Sequence, residues 1–427
     1  MTFASKKKYS GRMVFIDQAR GLAIALMLVG HSLDRFLGEP WRSGEAYGNY
    51  QFVRGISSAL FLTVSGFSFV IASFGHFDDY LRFSPRLWSR IRRIALILFL
   101  GYVLHLWAPT LSRCLADVTT YHLERFTRYD VLQVIAAGLA ALHIIARLAG
   151  GKEYFWKLTL AMLIIVLAAA AMTYQKEIDA RLPLGIATAV NMYHGSRFPA
   201  VPYLAFMLLG ALFGCAFLSR RDRGDEWKVF AAAAGLSVAL FAFEYVIRNW
   251  VPGGIFPYST PLKQMPGNIF ARTACALLTI SALYLVGRFR VVLPRLSYIV
   301  SKDALAIFFV HLLLVYGGSS YPTLFKSKAE DMNPLQVAAW IIGLSISMTA
   351  MAWTIGKLRT SRPILLTAMR HTLILGGAIA FLVWPELSVL RIMLSLAISA
   401  AIVAFINRRH LRPPRELSRS RPDLANS

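Results

Sequence analysis

The sequence has few cysteines and none of the short motifs that mark common soluble enzymes. Its three cysteines are widely spaced at Cys114, Cys215 and Cys275, which gives neither a metal-binding motif nor a disulfide framework. It contains no glycine-rich phosphate loop with a Walker lysine, no HExxH, no GxSxG and no CxxC. The usual signatures of ATP-driven transporters, metalloproteases and serine hydrolases are therefore absent from the sequence, and no metal site is predicted.

Charged residues are also scarce, because they make up 16% of the 427 residues whereas hydrophobic residues make up 56%. The mean hydropathy is +0.53, and many long runs carry no charge. Such a composition predicts an all-α, polytopic integral membrane protein that is embedded in the lipid bilayer. The net charge of +24 lies mostly between the apolar runs, where basic residues set orientation, so nucleic-acid binding is not predicted.

Apolar runs of suitable length predict about twelve transmembrane helices. With the N-terminus inside, the inner loops hold 30 Lys and Arg residues and the outer loops 15, which predicts that both termini are cytoplasmic. We expect one transmembrane domain over 1–406 and a basic, disordered cytoplasmic tail over 407–427. The predicted spans are 14–33, 52–74, 91–111, 131–148, 155–174, 200–218, 229–248, 267–286, 296–316, 335–356, 371–384 and 388–406.

The first apolar run carries three ionisable residues on one helical face, Asp17, Arg20 and His31. The eleven-residue step from Arg20 to His31 returns to nearly the same face and rises about 16 Å. Ionisable groups at membrane depth indicate a functional site, and a neutral imidazole there is suited to act as a base. The alternatives are an Asp17–Arg20 ion pair that anchors the helix end and a His31 that only packs against neighbours.

Further polar residues lie within or next to other predicted helices. His311 lies deep in the ninth run, beyond Lys302 and Asp303, which repeats the layout of the first run. Arg128 and Asp130 begin the fourth run, although Asp130 is also a plausible helix cap, and His194 precedes the sixth. The inner loop from Arg82 to Arg93 has five arginines, which suit either membrane orientation or the phosphates of a cofactor. Its last three are Arg90, Arg92 and Arg93.

Five segments, taken in order, resemble a known family. The segments are IDQARGLAIALMLVGHSLD, SSALFLTVSGFSF, RYDVLQVIAAGLA, SRFPAVPYLAFMLLGALFG and LSYIVSKDALAIFFVHLLLVYGG. They are similar to bacterial proteins that resemble the catalytic domain of heparan-alpha-glucosaminide N-acetyltransferase. The Arg-x10-His spacing of Arg20 and His31 also resembles the hallmark of the acyltransferase-3 family, whose members acylate cell-surface glycans.

The resemblance implies a multi-pass enzyme of the bacterial inner membrane that takes an acyl group, usually acetyl, from cytoplasmic acyl-CoA. The acceptor is expected to be a sugar hydroxyl or amine of an envelope glycan or glycolipid. His31 matches the catalytic base and Arg20 the arginine of the motif, and His311 matches the histidine of the late segment. We expect catalytic roles for His31, His311 and Asp130, acceptor binding by Arg128 and His194, and acyl-CoA binding by Asp17, Arg20, Arg90, Arg92 and Arg93.

Several alternatives stay open from the sequence. Direct transfer and a route through an acyl-histidine are both compatible with His31. A proton-coupled permease or lipid flippase would use the same His and Arg residues as a proton relay. A scaffold would use them only to hold helices together. The acceptor, the acyl chain length and a homo-oligomeric state are also left open.

Overall fold

The computed structural model describes residues 13–173, 181–250, 266–288, 294–317, 330–386 and 388–410. Within these ranges the chain forms seventeen α-helices and no β-strand, which confirms the predicted all-α class. The chain divides into two compact units. The first comprises Met1–Trp107 with Val118–Trp353, and the second Ala108–Asp117 with Thr354–Ser427.

The helices follow the apolar runs, with short helices in the connections between them. The first eight are α1 (Val14–Phe36), α2 (Gly44–Phe74), α3 (Asp78–Leu81), α4 (Pro85–Val103), α5 (Leu111–Ala116), α6 (Thr120–Thr127), α7 (Val131–Ala149) and α8 (Lys152–Thr173). The others are α9 (Leu184–Val190), α10 (Ala200–Arg221), α11 (Trp227–Trp250), α12 (Pro266–Arg288), α13 (Pro294–Lys302), α14 (Ala304–Tyr316), α15 (Pro334–Ser361), α16 (Pro363–Val383) and α17 (Val389–His410).

Each of the twelve predicted spans coincides with a described helix or helix pair, and nine of these helices are long and apolar enough to cross a membrane. The helices at the other three predicted spans do not meet this criterion, each for a different reason. Helix α4 carries four arginines, α13 and α14 meet at a bend of 74°, and the described apolar part of α17 is short. The protein is thus a multi-pass membrane protein, while the count of twelve and the cytoplasmic termini stay predictions. Residues 411–427 of the predicted tail lie outside the described residues.

Helices α2 and α10 form the centre of the first unit, and two glycines allow their backbones to meet. A Cβ added at Gly66 would overlap the backbone carbonyl of Met207, and one added at Gly210 would overlap that of Thr63. Small residues at such crossings allow close van der Waals packing between helices in lipid. A cluster of aromatic rings, which includes Phe15, surrounds this crossing and orients the first turn of α1.

The C-terminal end of α1 is held by polar contacts with the loop that follows it and with one distant segment. The guanidinium of Arg42 donates to the carbonyls of Leu37 (2.8 Å) and Asp34 (3.0 Å), which satisfies groups left free at the helix end. The backbone of Met332 donates to the carbonyl of Phe36 at 2.9 Å. A second apolar cluster packs this half of α1 against α14 and α15. These contacts fix the turn that carries His31.

The second unit is built on α16 and α17, which pack against each other. The indole N–H of Trp384 donates to the hydroxyl of Ser395 at 2.9 Å. An ion pair of 2.9 Å joins Arg113 of the α5 segment to Glu386. All the site residues predicted from the sequence lie in the first unit.

Candidate active site

A cavity of about 310 Å³ lies at the N-terminal half of α1 and is called the arginine cavity here. Arg20 of α1, Arg90 and Arg93 of α4 and Ser301 of α13 line it, together with three serines of α2. None of the described residues that line it is an Asp or a Glu. The cavity therefore offers several guanidinium donors, which suit phosphate groups.

Two other predicted residues stand beside the arginine cavity and do not line it. The carboxylate of Asp17 accepts a hydrogen bond from Ser301 at 2.7 Å, so it orients a residue of the wall. Arg92 is exposed on α4 and is not among the described lining residues. Of the five residues predicted to bind acyl-CoA, the structure thus brings Arg20, Arg90 and Arg93 together around one cavity.

His31 lies at the other half of α1 and lines two further cavities. The small histidine cavity has a volume of about 230 Å³ and the large histidine cavity one of about 460 Å³. The Nδ1 atom of His31 is 3.0 Å from the hydroxyl of Tyr316, which holds the imidazole in one orientation. With Nδ1 engaged there, a role as general base would fall to the other ring nitrogen.

His311 packs directly against His31, with the ring centroids 5.4 Å apart. It is fully buried, and its Nδ1 donates to the carbonyl of Ile307 at 2.8 Å. Its Nε2 has no hydrogen-bond partner among the described residues and is therefore a buried acceptor. His311 does not line any of these three cavities, so its position suits support of His31 better than contact with a substrate.

Arg197 joins the two histidine cavities, since it lines both. It precedes α10, and its guanidinium lies 5.9 Å from the centre of the Tyr316 ring. Burial lowers the pKa of Arg197, but the Asp130 carboxylate and Tyr316 outweigh that effect and raise the pKa above its ordinary value. The guanidinium is therefore a permanent positive charge beside His31.

Asp130 and Arg128 line the large histidine cavity. The carboxylate of Asp130 lies 3.0 Å from Nε2 of His105, a residue that follows α4. Asp130 also begins α7, and the side chain of Gln133 accepts from its backbone N–H at 3.3 Å. Asp130 thus both caps α7 and lines the large histidine cavity.

His194 contributes to this cavity through its backbone. Its carbonyl accepts from Nε of Arg128 at 2.6 Å, while its imidazole lies 3.3 Å from the Glu124 carboxylate. The next residue, Gly195, has φ of +83°, and a Cβ there would lie 2.7 Å from the guanidinium carbon of Arg128. Glycine is therefore needed where this turn supports Arg128.

The small histidine cavity contains an ion pair and a charge-assisted hydrogen bond that the sequence did not reveal. Arg54 of α2 forms a two-point ion pair with Asp34, one turn beyond His31. Arg272 of α12 donates to the hydroxyl of Tyr203 at 3.0 Å. The sequence patterns also did not identify Tyr316 and Arg197 as site residues, although both lie within segments that carry the family resemblance.

The arginine cavity and the histidine cavities are neighbours, divided by apolar side chains. Phe308 of α14 lines all three, Phe61 lines the arginine and small histidine cavities, and Leu132 lines the arginine and large histidine cavities. Arg20 and His31 thus line separate cavities, and Phe308 is shared by all three.

Among the described residues, no group of three or more His, Cys, Asp and Glu side chains is placed to hold a metal ion. The side chains at hand are guanidinium, imidazole, phenol and carboxylate groups. Such groups bind anions and move protons.

The fold and these cavities define a multi-pass helical membrane protein with a buried histidine site between two ends of a bundle. A family model described as "Heparan-alpha-glucosaminide N-acetyltransferase, catalytic" matches residues 12–244, which is more than half of the chain. The chain belongs to this family of membrane acetyltransferases, and the resemblance stated from the sequence is confirmed. No curated protein matches the chain. His31, Asp130 and the arginines of the arginine cavity lie within the matched residues, whereas His311 and Tyr316 lie beyond them.

Proposed function

We propose that the protein transfers an acyl group, usually acetyl, from acyl-CoA to a sugar hydroxyl or amine, with His31 as the general base. The observation that supports this most is the continuity of α1. A single helix carries Arg20 into a cavity lined by cations and His31 into cavities lined by polar residues. Membership of an acetyltransferase family supplies the reaction class.

The arginine cavity suits the phosphates of the donor. Three guanidinium groups without a lining carboxylate favour a polyanion. The pantetheine arm would then extend along α1, past Phe308, over the roughly 16 Å between Arg20 and His31. The thioester would arrive beside the imidazole. With the predicted topology, this donor cavity opens toward the cytoplasm.

In direct transfer, the acceptor oxygen or nitrogen attacks the thioester carbonyl while His31 takes its proton. The new C–O or C–N bond forms, the C–S bond breaks, and the CoA thiolate leaves and receives a proton. Arg197, which lines the same cavities as His31, would stabilise the oxyanion that develops. An acyl-histidine route uses the same residues, with His31 as the nucleophile.

The other predicted site residues receive supporting or acceptor-binding roles in this proposal. Asp130 and Arg128 would contact the acceptor in the large histidine cavity, and His194 would hold Arg128 in place. His311 would position His31 through its packed ring, as a positioning residue. Tyr316 would fix the orientation of the His31 imidazole through its hydroxyl.

Purified protein supplied with labelled acetyl-CoA and a panel of glucosamine-terminated acceptors tests the proposal. We expect labelled acceptor and free CoA in equal amounts, with loss of both products in His31→Ala. The absence of transfer, together with proton-coupled uptake of a solute in vesicles, would favour the permease instead. Unchanged function of His31→Ala with lowered stability would favour the scaffold.

A further inference from the structure

The small histidine cavity contains a cation that no carboxylate of the described residues neutralises. Three of its described lining residues are arginines, Arg54, Arg197 and Arg272, and one is an acid, Asp34. Arg54 takes both oxygens of Asp34, and Arg197 is associated chiefly with Asp130, which is not among the described lining residues of this cavity. Arg272 forms no ion pair within the described part of the chain.

Arg272 lies inside a membrane-spanning helix, where an unpaired charge is costly. The apolar span Ile269–Gly287 of α12 contains no other charged residue. Ionisable side chains within such spans face the interior of the helix bundle and mark sites for ions or substrates, because lipid does not solvate them. Arg272 also lies beyond the residues that the family model matches, so membership of the family assigns it no role.

Two contacts fix the guanidinium of Arg272. Its Nη1 donates to the hydroxyl of Tyr203 at 3.0 Å, and Tyr203 is almost fully buried. A Cβ added at Gly55 of α2 would lie 2.8 Å from Nη2 and 3.0 Å from Cζ, so the glycine leaves room for the guanidinium. A guanidinium has five N–H donors, and the others have no acceptor among the described residues. They are available to a molecule in the cavity.

Apolar side chains also line the small histidine cavity. Ala23 and Met27 precede His31 by eight and four residues on α1, so they share one face of that helix with it. Phe61 and Phe308 line this cavity and also the arginine cavity. The two serine hydroxyls of the lining donate to backbone carbonyls, so they are engaged. Such walls suit a hydrocarbon chain better than a sugar, whose hydroxyls need hydrogen-bond partners.

We propose that the small histidine cavity binds the acyl group of the donor and that Arg272 binds a carboxylate at the far end of that group, as in a succinyl chain. This inference rests on the proposed function, because it places the thioester beside His31. The methylene groups would contact the apolar walls, and the carboxylate would accept from the N–H donors that Tyr203 leaves free. The carboxylate takes no part in the reaction. The C–S bond of the thioester breaks and the new C–O or C–N bond forms, as in acetyl transfer.

Donors that differ only at the end of the acyl chain test this inference. Purified full-length protein is given the panel of glucosamine-terminated acceptors with either succinyl-CoA or butyryl-CoA, in which a methyl group replaces the carboxylate. We expect kcat/KM to be about tenfold or more higher for succinyl-CoA, because its carboxylate gains charge-assisted hydrogen bonds from Arg272. Equal kcat/KM values for the two donors would overturn the inference.

Variants assign the preference to one arginine. In Arg272→Gln the succinyl-to-butyryl ratio of kcat/KM should fall by about 10- to 100-fold, whereas Arg272→Lys keeps the charge and should retain part of the ratio. Tyr203→Phe, which removes the hydroxyl that holds the guanidinium, should lower the ratio by a smaller factor. The matched control is Arg93→Gln in the arginine cavity, which should weaken both donors alike because their phosphates are the same. A preference that survives Arg272→Gln and is lost in Arg93→Gln would contradict the assignment.

Equilibrium binding separates this inference from the proposed function. The probes are analogues of the two donors in which CH2 replaces the thioester sulfur, so that no acyl group can be transferred. Calorimetric titration should give a Kd for the succinyl analogue that is about tenfold or more below that of the butyryl analogue, and Arg272→Gln should remove the difference. If that binding occurs but no acceptor is acylated, the proposed function fails and the carboxylate site stands. Equal Kd values in the wild type, together with acetyl transfer, overturn this inference and leave the proposed function intact.

Discussion

The two ends of α1 place arginines in cavities that hold them differently. In the arginine cavity, no described lining residue is an acid. At the His31 end, Arg54 is held by Asp34 and Arg197 is associated with Asp130 and Tyr316. The arginines of the first cavity can therefore adapt to a flexible polyanion, whereas Arg54 and Arg197 have a fixed geometry.

This difference matches what each half of a group transfer requires. Binding a donor by its phosphates tolerates some freedom, because the reacting thioester is far from the charges that hold it. Proton removal and oxyanion stabilisation need groups held within a fraction of an ångström of their working positions. The predictions that follow test this division of labour, beginning with the largest effect.

His31→Ala should abolish the chemical step and leave donor binding intact. Loss of a general base lowers turnover by about 10²- to 10⁴-fold. Stopped-flow or steady-state transfer assays measure this, and titration with acetyl-CoA checks that its Kd changes by less than about twofold. His371→Ala, in the second unit, is the control for removing an imidazole. Turnover near wild type in the His31 variant would remove its assignment as the base.

Arg20→Gln should weaken donor binding and leave the chemical step largely intact, because Arg20 lines the arginine cavity. Loss of charge-assisted hydrogen bonds to phosphate raises the Kd for acetyl-CoA by about 10- to 100-fold, while kcat at saturating donor changes little. Arg93→Gln should follow it, and Arg92→Gln, which is not among the described lining residues, should have a smaller effect. Equal losses for Arg92 and Arg93 would mean that the charge of the whole loop, and not the cavity, binds the donor.

Phe308→Ala should weaken the apolar division between the two ends. A wider passage beside His31 would admit longer acyl chains, so the preference for acetyl-CoA over butyryl-CoA should fall by about tenfold. Because removal of a buried ring also destabilises a core, Phe308→Leu serves as a milder variant of intermediate effect. An unchanged chain-length preference in both folded variants would show that the thioester arm takes another path.

Tyr316→Phe should have the smallest effect, since it removes one hydroxyl and keeps the ring. Without the 3.0 Å contact to Nδ1, the His31 imidazole loses its fixed orientation, and kcat should fall by about fivefold with no change in the Kd for acetyl-CoA. A shift in the pH dependence of kcat should accompany it, as expected of a residue that acts through His31. A rise in the donor Kd alone would place Tyr316 in donor binding.

The sequence predicts the helices well because each apolar run must satisfy its backbone hydrogen bonds within the lipid. The stripe from Arg20 to His31 was predictable for the same reason, since an unbroken helix fixes both spacing and face. The bend between Lys302 and Ala304 was not predicted, because no proline or glycine marks it.

The partners of His31 and Asp17 were beyond the reach of sequence patterns. Tyr316 lies 285 residues from His31, and Ser301 lies 284 residues from Asp17. Pairings at that separation depend on how helices pack, and helical periodicity describes only residues within one helix. The separation of Arg20 and His31 into different cavities has the same origin, because it is due to Phe308 of α14.

Photo-crosslinking with a diazirine derivative of acetyl-CoA tests most directly whether donor and acceptor occupy opposite ends of α1. The probe carries its reactive group near the nucleotide phosphates, and mass spectrometry locates the labelled peptides in the wild type and in Arg20→Gln. Labels on α4 and α13, lost in Arg20→Gln, are the predicted result. Labels on α6 and the start of α7, unaffected by Arg20→Gln, would contradict it and place the donor in the large histidine cavity.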